Sequence, residues 1–536
     1  MTASVPHPAA GPDPQPDQPW LRLDKRMLLV HPVTEVVKFI PVLIGSVILG
    51  TSSGNHGWSV ITLALIVGFA LTRWFTTTYR VGQTHIELRT GLIQRKKLSV
   101  PRSRIRSVDI EADLLHRALG LAVLAIGTGQ HAESGEKFKL DALDARVVPG
   151  LRAALLAHTA TDTANASSGV AGAQVPHSLY PVDIFRKGLP ENTSGDLPAP
   201  RSAKEIGHWH ASWVRYAPLS LTGFAIIAPV VGLAFQYGLG QTLFNSDAVH
   251  NLEHGSTVFL AVGGVLLLLA IVIVVSLTSC ARYLTTYFGL RVLDDGRTLQ
   301  LRHGLFTTRQ TTLDRARFRG ATVNEPLLLR LAGAGELEAI MVGDNPRHKI
   351  LPQAPRAAVE HTLTHLLAPR AAAEVGPSEL GTAPLTAHGP VAHRRRHSRA
   401  LLPVLLVVIT MLIFSSAGAE YSALWWLLPA VMASLAIALA EDRYRGLGHT
   451  VLPATDSSPT WLITRAGSLD RDRDCLEAPG VIGWTVRQSL WQRRAGVATV
   501  VAASAAGKKR YLVIDIPLDR AWPLIDSVTP GLLGTH

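Results

Sequence analysis

Six long apolar stretches recur along the chain, separated by segments of mixed polarity. The last four contain no Asp, Glu, Lys or Arg. A helix of about 20 residues, at 1.5 Å per residue, crosses about 30 Å of hydrocarbon. The pattern therefore predicts three pairs of membrane-spanning helices, within residues 33–75, 213–281 and 400–440. The individual stretches are residues 39–58, 58–75, 216–237, 256–281, 400–419 and 421–440.

The alternative is that these stretches are core helices of a soluble protein. A core helix usually keeps one face on water, so about 20 residues without a charge are unusual for it. The absence of charge in the last four stretches favours the membrane interpretation.

A segment of short alternating strands follows each pair, at residues 76–160, 282–368 and 441–536. Turn residues interrupt the apolar alternation at the spacing typical of antiparallel sandwiches and barrels. Helical periodicity then predicts a closing helix at residues 146–158, 352–367 and 520–528. In the third segment we expect the first strand near Tyr444, and the alternating charges from Asp470 to Asp474 are typical of an exposed turn.

One short pattern appears in all three strand-rich segments. An Arg precedes a turn Gly by two residues, and a second Arg and Gly follow at the same distance each time. Such a fixed period indicates an internal repeat, whose unit is two spans followed by one β domain. The repeated positions are Arg89, Gly91, Arg117 and Gly120, then Arg302, Gly304, Arg330 and Gly333, then Arg465, Gly467, Arg493 and Gly496.

The remaining segments are polar. A proline-rich start at residues 1–25 predicts a disordered tail, residues 161–205 a linker, and residues 369–399 a linker that ends in a basic juxtamembrane run. Only two cysteines are present, Cys280 and Cys475. This number does not support a disulfide framework, so we expect the β domains to face a reducing compartment.

Charge is distributed asymmetrically about the predicted spans. The loops inside the pairs, at residues 51–57, 238–255 and 415–422, contain none of the 52 basic residues. Short loops follow the positive-inside rule most closely. We therefore predict a multi-pass protein of the cell membrane with both termini and all three β domains in the cytoplasm. The net charge of +12 then faces the inner leaflet.

A basic group in the first β domain is a candidate contact for anionic lipids or a partner. Each basic residue near an anionic surface contributes about 1 kcal/mol. The alternative is a solvated strand face. The repeated arginines are also candidate anion contacts, although recurrence in every copy favours an architectural role. The candidate contact residues are Arg95, Lys96, Lys97, Arg102, Arg104 and Arg106.

No catalytic signature is present in the sequence: there is no P-loop, nucleophile elbow, His-Glu-x-x-His or dinucleotide fingerprint. We therefore expect no enzyme activity, no catalytic residue, no cofactor and no nucleic-acid partner. His393 and His397 have the spacing of two metal ligands on a helix. We expect no metal there, because arginines separate them and no Glu accompanies them.

The first repeat resembles the bacterial pleckstrin-homology-like (bPH-type) domain of membrane-tethered YdbS/YdbT-like proteins. The resemblance rests on Tyr79-Arg80, on residues 88–91 and on the runs at 99–108 and 114–121. The second copy has Asp314, and the third Glu477, where the first has Pro101. The resemblance implies a seven-stranded barrel with a closing helix, and no known reaction. The expected fold class is a multi-pass α-helical membrane protein with three cytoplasmic β-barrel (PH-like) domains, each a small antiparallel barrel closed by a C-terminal helix.

The expected function is that of a non-enzymatic inner-membrane scaffold or adaptor in envelope or stress physiology. It would display the three PH-like domains to an unidentified protein partner. The alternative is a transporter or an accessory subunit of an export system. The predicted spans lack an ionisable residue near their middle, whereas ion and proton pathways usually need one. The sequence therefore favours the scaffold.

Overall fold

The structure is a computed structural model that forms two compact units, Met1–Gly195 and Asp196–His536. It describes residues 20–30, 33, 57–82, 85–90, 96–102, 105, 107–127, 138–152, 203–220, 228–229, 232, 257–343, 347–367, 383–418, 422–455 and 458–531.

The first unit contains two groups of antiparallel strands around one apolar core. Strands β1 to β4 pair in sequence order, and β5, β6 and β7 pair likewise. Ile86, Val108, Leu124 and Leu140 are fully buried in the core. The elements are β1 (Leu21–Arg22), α1 (Gly57–Thr76), β2 (Thr78–Val81), β3 (His85–Thr90), β4 (Lys96–Pro101), β5 (Ser107–Ala112), α2 (Leu114–Ala118), β6 (Leu121–Gly127) and β7 (Phe138–Asp144).

The second unit repeats this order of elements twice. Its first part comprises β8 (Lys204–His208), α3 (Thr257–Tyr287), β9 (Arg291–Asp294), β10 (Thr298–His303), β11 (Thr308–Asp314), β12 (Phe318–Pro326), α4 (Leu327–Leu331), β13 (Ala334–Met341), β14 (Arg347–Pro355) and α5 (Arg356–Leu367). Its second part comprises α6 (Pro390–Ser416), α7 (Leu427–Arg445), β15 (Gly448–Leu452), β16 (Trp461–Gly467), β17 (Asp470–Glu477), β18 (Val481–Arg487), α8 (Leu490–Arg494), β19 (Val497–Ser504), β20 (Arg510–Pro517) and α9 (Leu518–Val528).

A six-stranded sheet, in the order β14-β13-β12-β17-β16-β15, forms the middle layer of the second unit. Side chains alternate between its faces because successive residues of a strand point to opposite sides. Ile463 and Cys475 enter the core shared with β8–β11 and α5. Leu462 and Leu476 enter the core shared with β18–β20 and α9. One sheet therefore contributes to two apolar cores.

The ladder between β12 and β17 joins the second and third β domains. It runs from Gly320 opposite Leu476 to Pro326 opposite Asp470. Gly320 has a φ of +150, and a Cβ at this position would overlap the carbonyl oxygen of Cys475. Glycine therefore permits the close approach of the two backbones. The side chains also interact across this ladder, because the Thr322 hydroxyl donates to Asp474 Oδ1 at 2.7 Å.

This ladder corrects two sequence predictions. In the described part of the chain no sheet closes into a barrel, because the β12 edge is hydrogen-bonded to β17 of the next repeat. The segment from Asp470 to Asp474 belongs to a paired strand and is not an exposed turn. Its acid at Asp474 is buried because the Lys508 ammonium and the Thr322 hydroxyl satisfy it.

Three described helices are long and apolar enough to cross a membrane: Val265–Tyr287 within α3, Pro390–Ser416 (α6) and Leu424–Arg445, which contains α7. Only 6 to 11% of their apolar windows is buried by protein. A core helix of a soluble protein would be covered, so these helices indicate a membrane protein. From Trp426 to Arg443 an ideal helix rises about 26 Å, which matches the hydrocarbon thickness.

The other three predicted spans have different outcomes. The stretch at 58–75 coincides with α1, which is not among the three candidate spans. Residues 39–56 lie outside the described residues. The predicted start of the third span at Tyr216 is wrong, because Trp213, Tyr216 and Ala217 form part of the 3₁₀ helix Ala211–Leu219 and are buried in the apolar core. In the third β domain, Tyr444 belongs to α7 and the first strand begins at Gly448.

The backbone just before each helical segment pairs with the first strand after that segment. Strand β1 pairs with β2, and β8 pairs with β9. Before α6, Thr386 forms an antiparallel bridge with His449 of β15. The backbone hydrogen bonds therefore close the base of each helical segment on the β domain that follows it.

A buried histidine pair lies beside this last bridge. Nδ1 of His388 is 2.7 Å from the carbonyl oxygen of Ile514, so it carries the proton that it donates. Its Nε2 is 2.8 Å from Nδ1 of His449, so one of these nitrogens donates to the other and the two rings cannot both be protonated. Burial, together with the nearby His388 and Arg520, lowers the pKa of His449 to about 4. Burial also lowers the pKa of His388.

We expect Gly320→Ala to destabilise the joint between the two β domains. The left-handed backbone is strained for alanine, and the added Cβ meets the β17 backbone, so the free energy of unfolding should fall by on the order of 2 kcal/mol or more. Thermal unfolding of the full chain in detergent, followed by tryptophan fluorescence, measures the loss. Gly483→Ala is the matched control, because a Cβ there meets open space. Equal midpoints for the two variants would contradict the tight approach.

The histidine pair predicts that the third β domain loses stability in acid. Between pH 6.5 and about 4 the unfolded chain binds a proton at His449 while the folded chain stays neutral, so stability falls as pH falls. The loss is on the order of 3 kcal/mol. Unfolding midpoints at pH 7.5, 5.5 and 4.5 should fall less steeply in His449→Gln. The exposed His208→Gln serves as control, and an unchanged pH slope in His449→Gln would contradict the assignment.

Candidate membrane-coupling site

The basic run that precedes the fifth predicted span is the first part of helix α6. The sequence placed it in a juxtamembrane linker, but the helix begins at Pro390 and carries the run on its first turns. Arg395 and Arg396 turn into the third β domain and are less than 10% exposed. Arg395 Nε is 3.2 Å from Asp515 Oδ1, and Arg396 Nη2 is 3.3 Å from Asp515 Oδ2.

Asp515 lies on β20, has no solvent exposure and adopts a left-handed backbone with a φ of 59. Gln492, which closes the capping box of α8, donates from Nε2 to Asp515 Oδ1 at 2.8 Å. A buried carboxylate is costly unless it is paired and hydrogen-bonded. The sequence offered one sign of this site: an Asp in the otherwise apolar strand from Leu512 to Ile516.

A second carboxylate, Asp442 near the end of α7, contacts both β domains of the second unit. Nη2 of Arg330, on α4, donates to both oxygens of Asp442, each at 2.9 Å. Arg471 of β17 donates to Oδ1 at 2.9 Å, and the Ser468 hydroxyl donates to Oδ2 at 2.8 Å. Hydrogen bonds between a guanidinium and a carboxylate are stronger than those between neutral groups. Asp442 therefore joins helix α7 to the domains that precede and follow it.

The repeated arginine of the third copy has an architectural role. Arg465 donates from Nε to the carbonyl of Gly446 at 3.1 Å and from Nη2 to that of Arg445 at 3.0 Å. These carbonyls lie at the end of α7, where no intrahelical donor remains, so the cation caps the helix. Burial lowers the pKa of Arg465, and the nearby Arg471 lowers it further.

The repeated glycines occupy equivalent turns. Gly120, Gly333 and Gly496 follow the short helices α2, α4 and α8 with φ values of +69, +68 and +66. This left-handed conformation ends a helix and favours glycine. Gly304 and Gly467 have φ values of +116 and +107, and a Cβ at either would overlap a carbonyl oxygen of the same turn. Gly91 lies outside the described residues.

The remaining repeated arginines are on the surface. Arg89 is exposed and places its guanidinium 3.7 Å from the centre of the Trp20 ring. Arg302 is exposed beside the turn at Gly304, and Arg117 and Arg493 are exposed on α2 and α8. Their predicted contacts with anions stay a prediction.

Of the predicted basic group in the first β domain, the structure describes Lys96, Lys97 and Arg102. Both lysines are exposed, and Lys97 Nζ is 2.8 Å from Glu87 Oε1. The hydrogen bond from Lys97 is the main cause that lowers the pKa of Glu87. Arg102 is 4% exposed, and burial lowers its pKa, so it faces the interior. Arg95, Arg104 and Arg106 lie outside the described residues, and lipid contact by the group stays a prediction.

His393 and His397 do have an accompanying acid, which the sequence could not reveal. Glu441 of α7 reaches them across the helix pair, and ligand atoms of all three residues lie within 4.8 Å of one another. His393 Nε2 is 2.8 Å from Glu441 Oε2, while Arg445 Nε binds the other oxygen at 2.9 Å. Two imidazoles and a carboxylate could hold a divalent metal ion. The ion would have to replace the direct contact between His393 and Glu441.

Two regions of the chain match a model of the bacterial PH domain. A search of curated proteins and a search of solved structures gave no match. The first region covers the first predicted helix pair and its β domain, and the second extends from residue 252 through α5. The third β domain lies outside both matched regions. On this match, residues 33–159 and 252–367 of the chain are similar to the bacterial PH domain.

Proposed function

We propose that the chain is a non-enzymatic scaffold or adaptor of the cell membrane that displays three PH-like domains on its cytoplasmic side. We include the third domain because its elements follow the same order as those of the second. The second domain runs from strand β9 to helix α5, and the third runs from strand β15 to helix α9. Its partner would be a protein that binds the surfaces of the domains. Envelope or stress physiology is the setting that the sequence suggested.

The observation that carries the proposal is the attachment of helices α6 and α7 to the β domains. Asp442 on α7 binds Arg330 and Arg471 of the two β domains. Asp515 on β20 binds Arg395 and Arg396 of α6. A buried ion pair is poor evidence for stability but supports a specific arrangement. A carrier that must rearrange during transport would gain little from such fixed contacts, whereas a scaffold needs them.

The topology of the chain supports an even number of crossings in each repeat. Helices α6 and α7 pack against each other as a hairpin, and the strands that flank each helical segment pair side by side. Strands β8 and β9 pair on either side of the segment that contains α3, and from this pairing we infer a second crossing in the same segment. This supports the span predicted within residues 216–237, although most of that stretch lies outside the described residues.

The described spans also disfavour the transporter alternative. In α3, α6 and α7 the central turns contain no ionisable residue, and the charged residues of α6 and α7 lie at one end. Ion and proton pathways are usually marked by such residues within the membrane. The described spans thus agree better with an anchor than with a pathway.

Reporters of topology should distinguish the two sides of the membrane. A phosphatase that is active only outside the cytoplasm should be active when fused at Asn55, Asp247 or Gly418, because the loops inside the pairs lack Lys and Arg. The same fusion at Gly376, between the second and third repeats, should be inactive. An inactive fusion at any of the first three positions, with the protein expressed, would contradict the six-span arrangement.

Asp515→Asn should release the third β domain from α6. Without the carboxylate charge, Arg395 and Arg396 are left buried and unpaired, which costs about 3–5 kcal/mol. Hydrogen exchange of the full chain in detergent should rise in β20 and the first turns of α6. The exposed acid Asp526 provides the control Asp526→Asn, which should leave exchange unchanged. Unchanged exchange in Asp515→Asn would show that this contact does not hold the domain.

The same variants test the scaffold itself. Proteins that co-purify with the full chain in neutral detergent should be recovered in smaller amounts with Asp515→Asn and in equal amounts with Asp526→Asn. Quantitative mass spectrometry measures the recovery. The scaffold would be contradicted if no protein co-purified in proportion to the parent chain, or if the reconstituted chain moved solutes across a vesicle.

A further inference from the structure

A cavity of about 460 Å³ lies between helices α6 and α7 and the turn that joins β16 to β17. It is found where the apolar part of each helix meets its charged end. On α6 its lining passes from Arg396 and Arg399 to Ala400, and on α7 from Ala436 and Leu439 to Arg443. The cavity therefore combines a cationic end with an apolar end at the predicted edge of the hydrocarbon.

Three guanidinium groups converge on the cationic end. Arg399 and Arg443 are exposed, and neither has an ion pair or hydrogen bond among the described residues. Arg396 is 4% exposed, and its buried Nε has no hydrogen-bond partner in the same part of the chain. Asp515 is shared between Arg396 and Arg395, and the carboxylate that lines the cavity belongs to Asp470. Three cations so close together attract an anion with several oxygens.

Small and aliphatic side chains line the apolar end: Ala400, Ala436, Leu439 and Ala440. Ala436, Leu439 and Arg443 lie on one face of α7 at helical spacing, and Arg396, Arg399 and Ala400 do the same on α6. The small side chains at Ala400 and Ala436 leave room between the helices, and the arginines lie toward the charged end of each helix. An amphipathic ligand in the cavity would thus have its apolar part toward the hydrocarbon of the membrane and its anionic part toward the arginines.

We propose that this cavity binds an anionic phospholipid, with its phosphate on Arg396, Arg399 and Arg443 and an acyl chain along Ala436 and Leu439. Arginine suits phosphate because its planar fork donates to two oxygens at once. Basic pockets between helices at a membrane surface are a known form of headgroup site. The inference requires α6 and α7 to lie in a membrane, but it does not depend on the scaffold role.

The consequence is a further contact between the helix pair and the third β domain. The turn at Gly467 and Ser468 forms the far wall of the cavity, and Ser468 also binds Asp442. A lipid in the cavity would touch both helices and this turn. Anionic lipid should therefore stabilise the attachment of the domain to the membrane.

The test uses the full chain in neutral detergent, with phosphatidylglycerol, phosphatidylcholine and inorganic phosphate as separate probes. Lipid retention is measured by native mass spectrometry and stabilisation by thermal unfolding. The parent should retain and be stabilised by phosphatidylglycerol alone. Arg399→Gln and Arg443→Gln should each weaken the apparent affinity about fivefold, which corresponds to about 1 kcal/mol per basic residue.

Two further variants separate the cavity from the general surface charge. Arg394→Gln removes the same charge from the opposite face of α6, where the side chain is exposed, and should leave retention unchanged. Ala436→Phe fills the apolar end and should lower retention while every arginine stays in place. Unfolding midpoints without lipid show whether each variant is folded.

Several outcomes would overturn the proposal. Equal losses in Arg394→Gln and Arg399→Gln would reduce the effect to surface electrostatics. Equal stabilisation by inorganic phosphate would assign the cavity to the free ion, and equal retention of phosphatidylcholine would remove the role of charge. If folded Ala436→Phe retained the lipid as the parent does, the acyl chain would not lie in the cavity. These outcomes are independent of whether any protein partner co-purifies.

Discussion

The ladder between β12 and β17 is the constraint on which the second unit depends. A PH-like barrel would close by pairing strands within one repeat, but here the edge of the second repeat pairs with the first sheet of the third. The shared sheet then forms a wall of both apolar cores, so neither domain can be packed without the other. The ladder between β12 and β17 requires a glycine at position 320. It also buries Asp474, which Lys508 and Thr322 hydrogen-bond.

The same shared sheet explains which residues the charged side chains of helices α6 and α7 contact. Because the two domains share one sheet, α4 of the second domain and β17 of the third reach the same carboxylate on α7, Asp442. Asp515 on β20 attaches α6 in a comparable way. The basic run at the start of α6 therefore does more than carry positive charge next to a span. Arg395 and Arg396 are buried in contacts with Asp515, while Arg394 and Arg399 are exposed.

Local patterns predicted local structure well. Apolar length predicted α3, α6 and α7, and the glycine spacing predicted turns that the φ values of Gly120, Gly333 and Gly496 show to be equivalent. Contacts between distant segments were not predictable in this way. Asp470 to Asp474 resembles an exposed turn because the partners of that strand lie in β12, and Glu441 joins His393 only through the helix hairpin. Tyr216 is apolar enough for a span, yet its ring belongs to the core beside α5.

The position that recurs in every repeat has different surroundings in each copy. Arg89 stacks on Trp20 at the surface, Arg302 is exposed, and Arg465 is bound to the last carbonyls of α7. Nε and Nη2 of Arg465 donate to these carbonyls and hold its guanidinium at the end of the helix. In the third copy this arginine therefore contacts helix α7, whereas in the first two copies it is exposed. In the third domain this arginine therefore helps to attach the domain to helix α7.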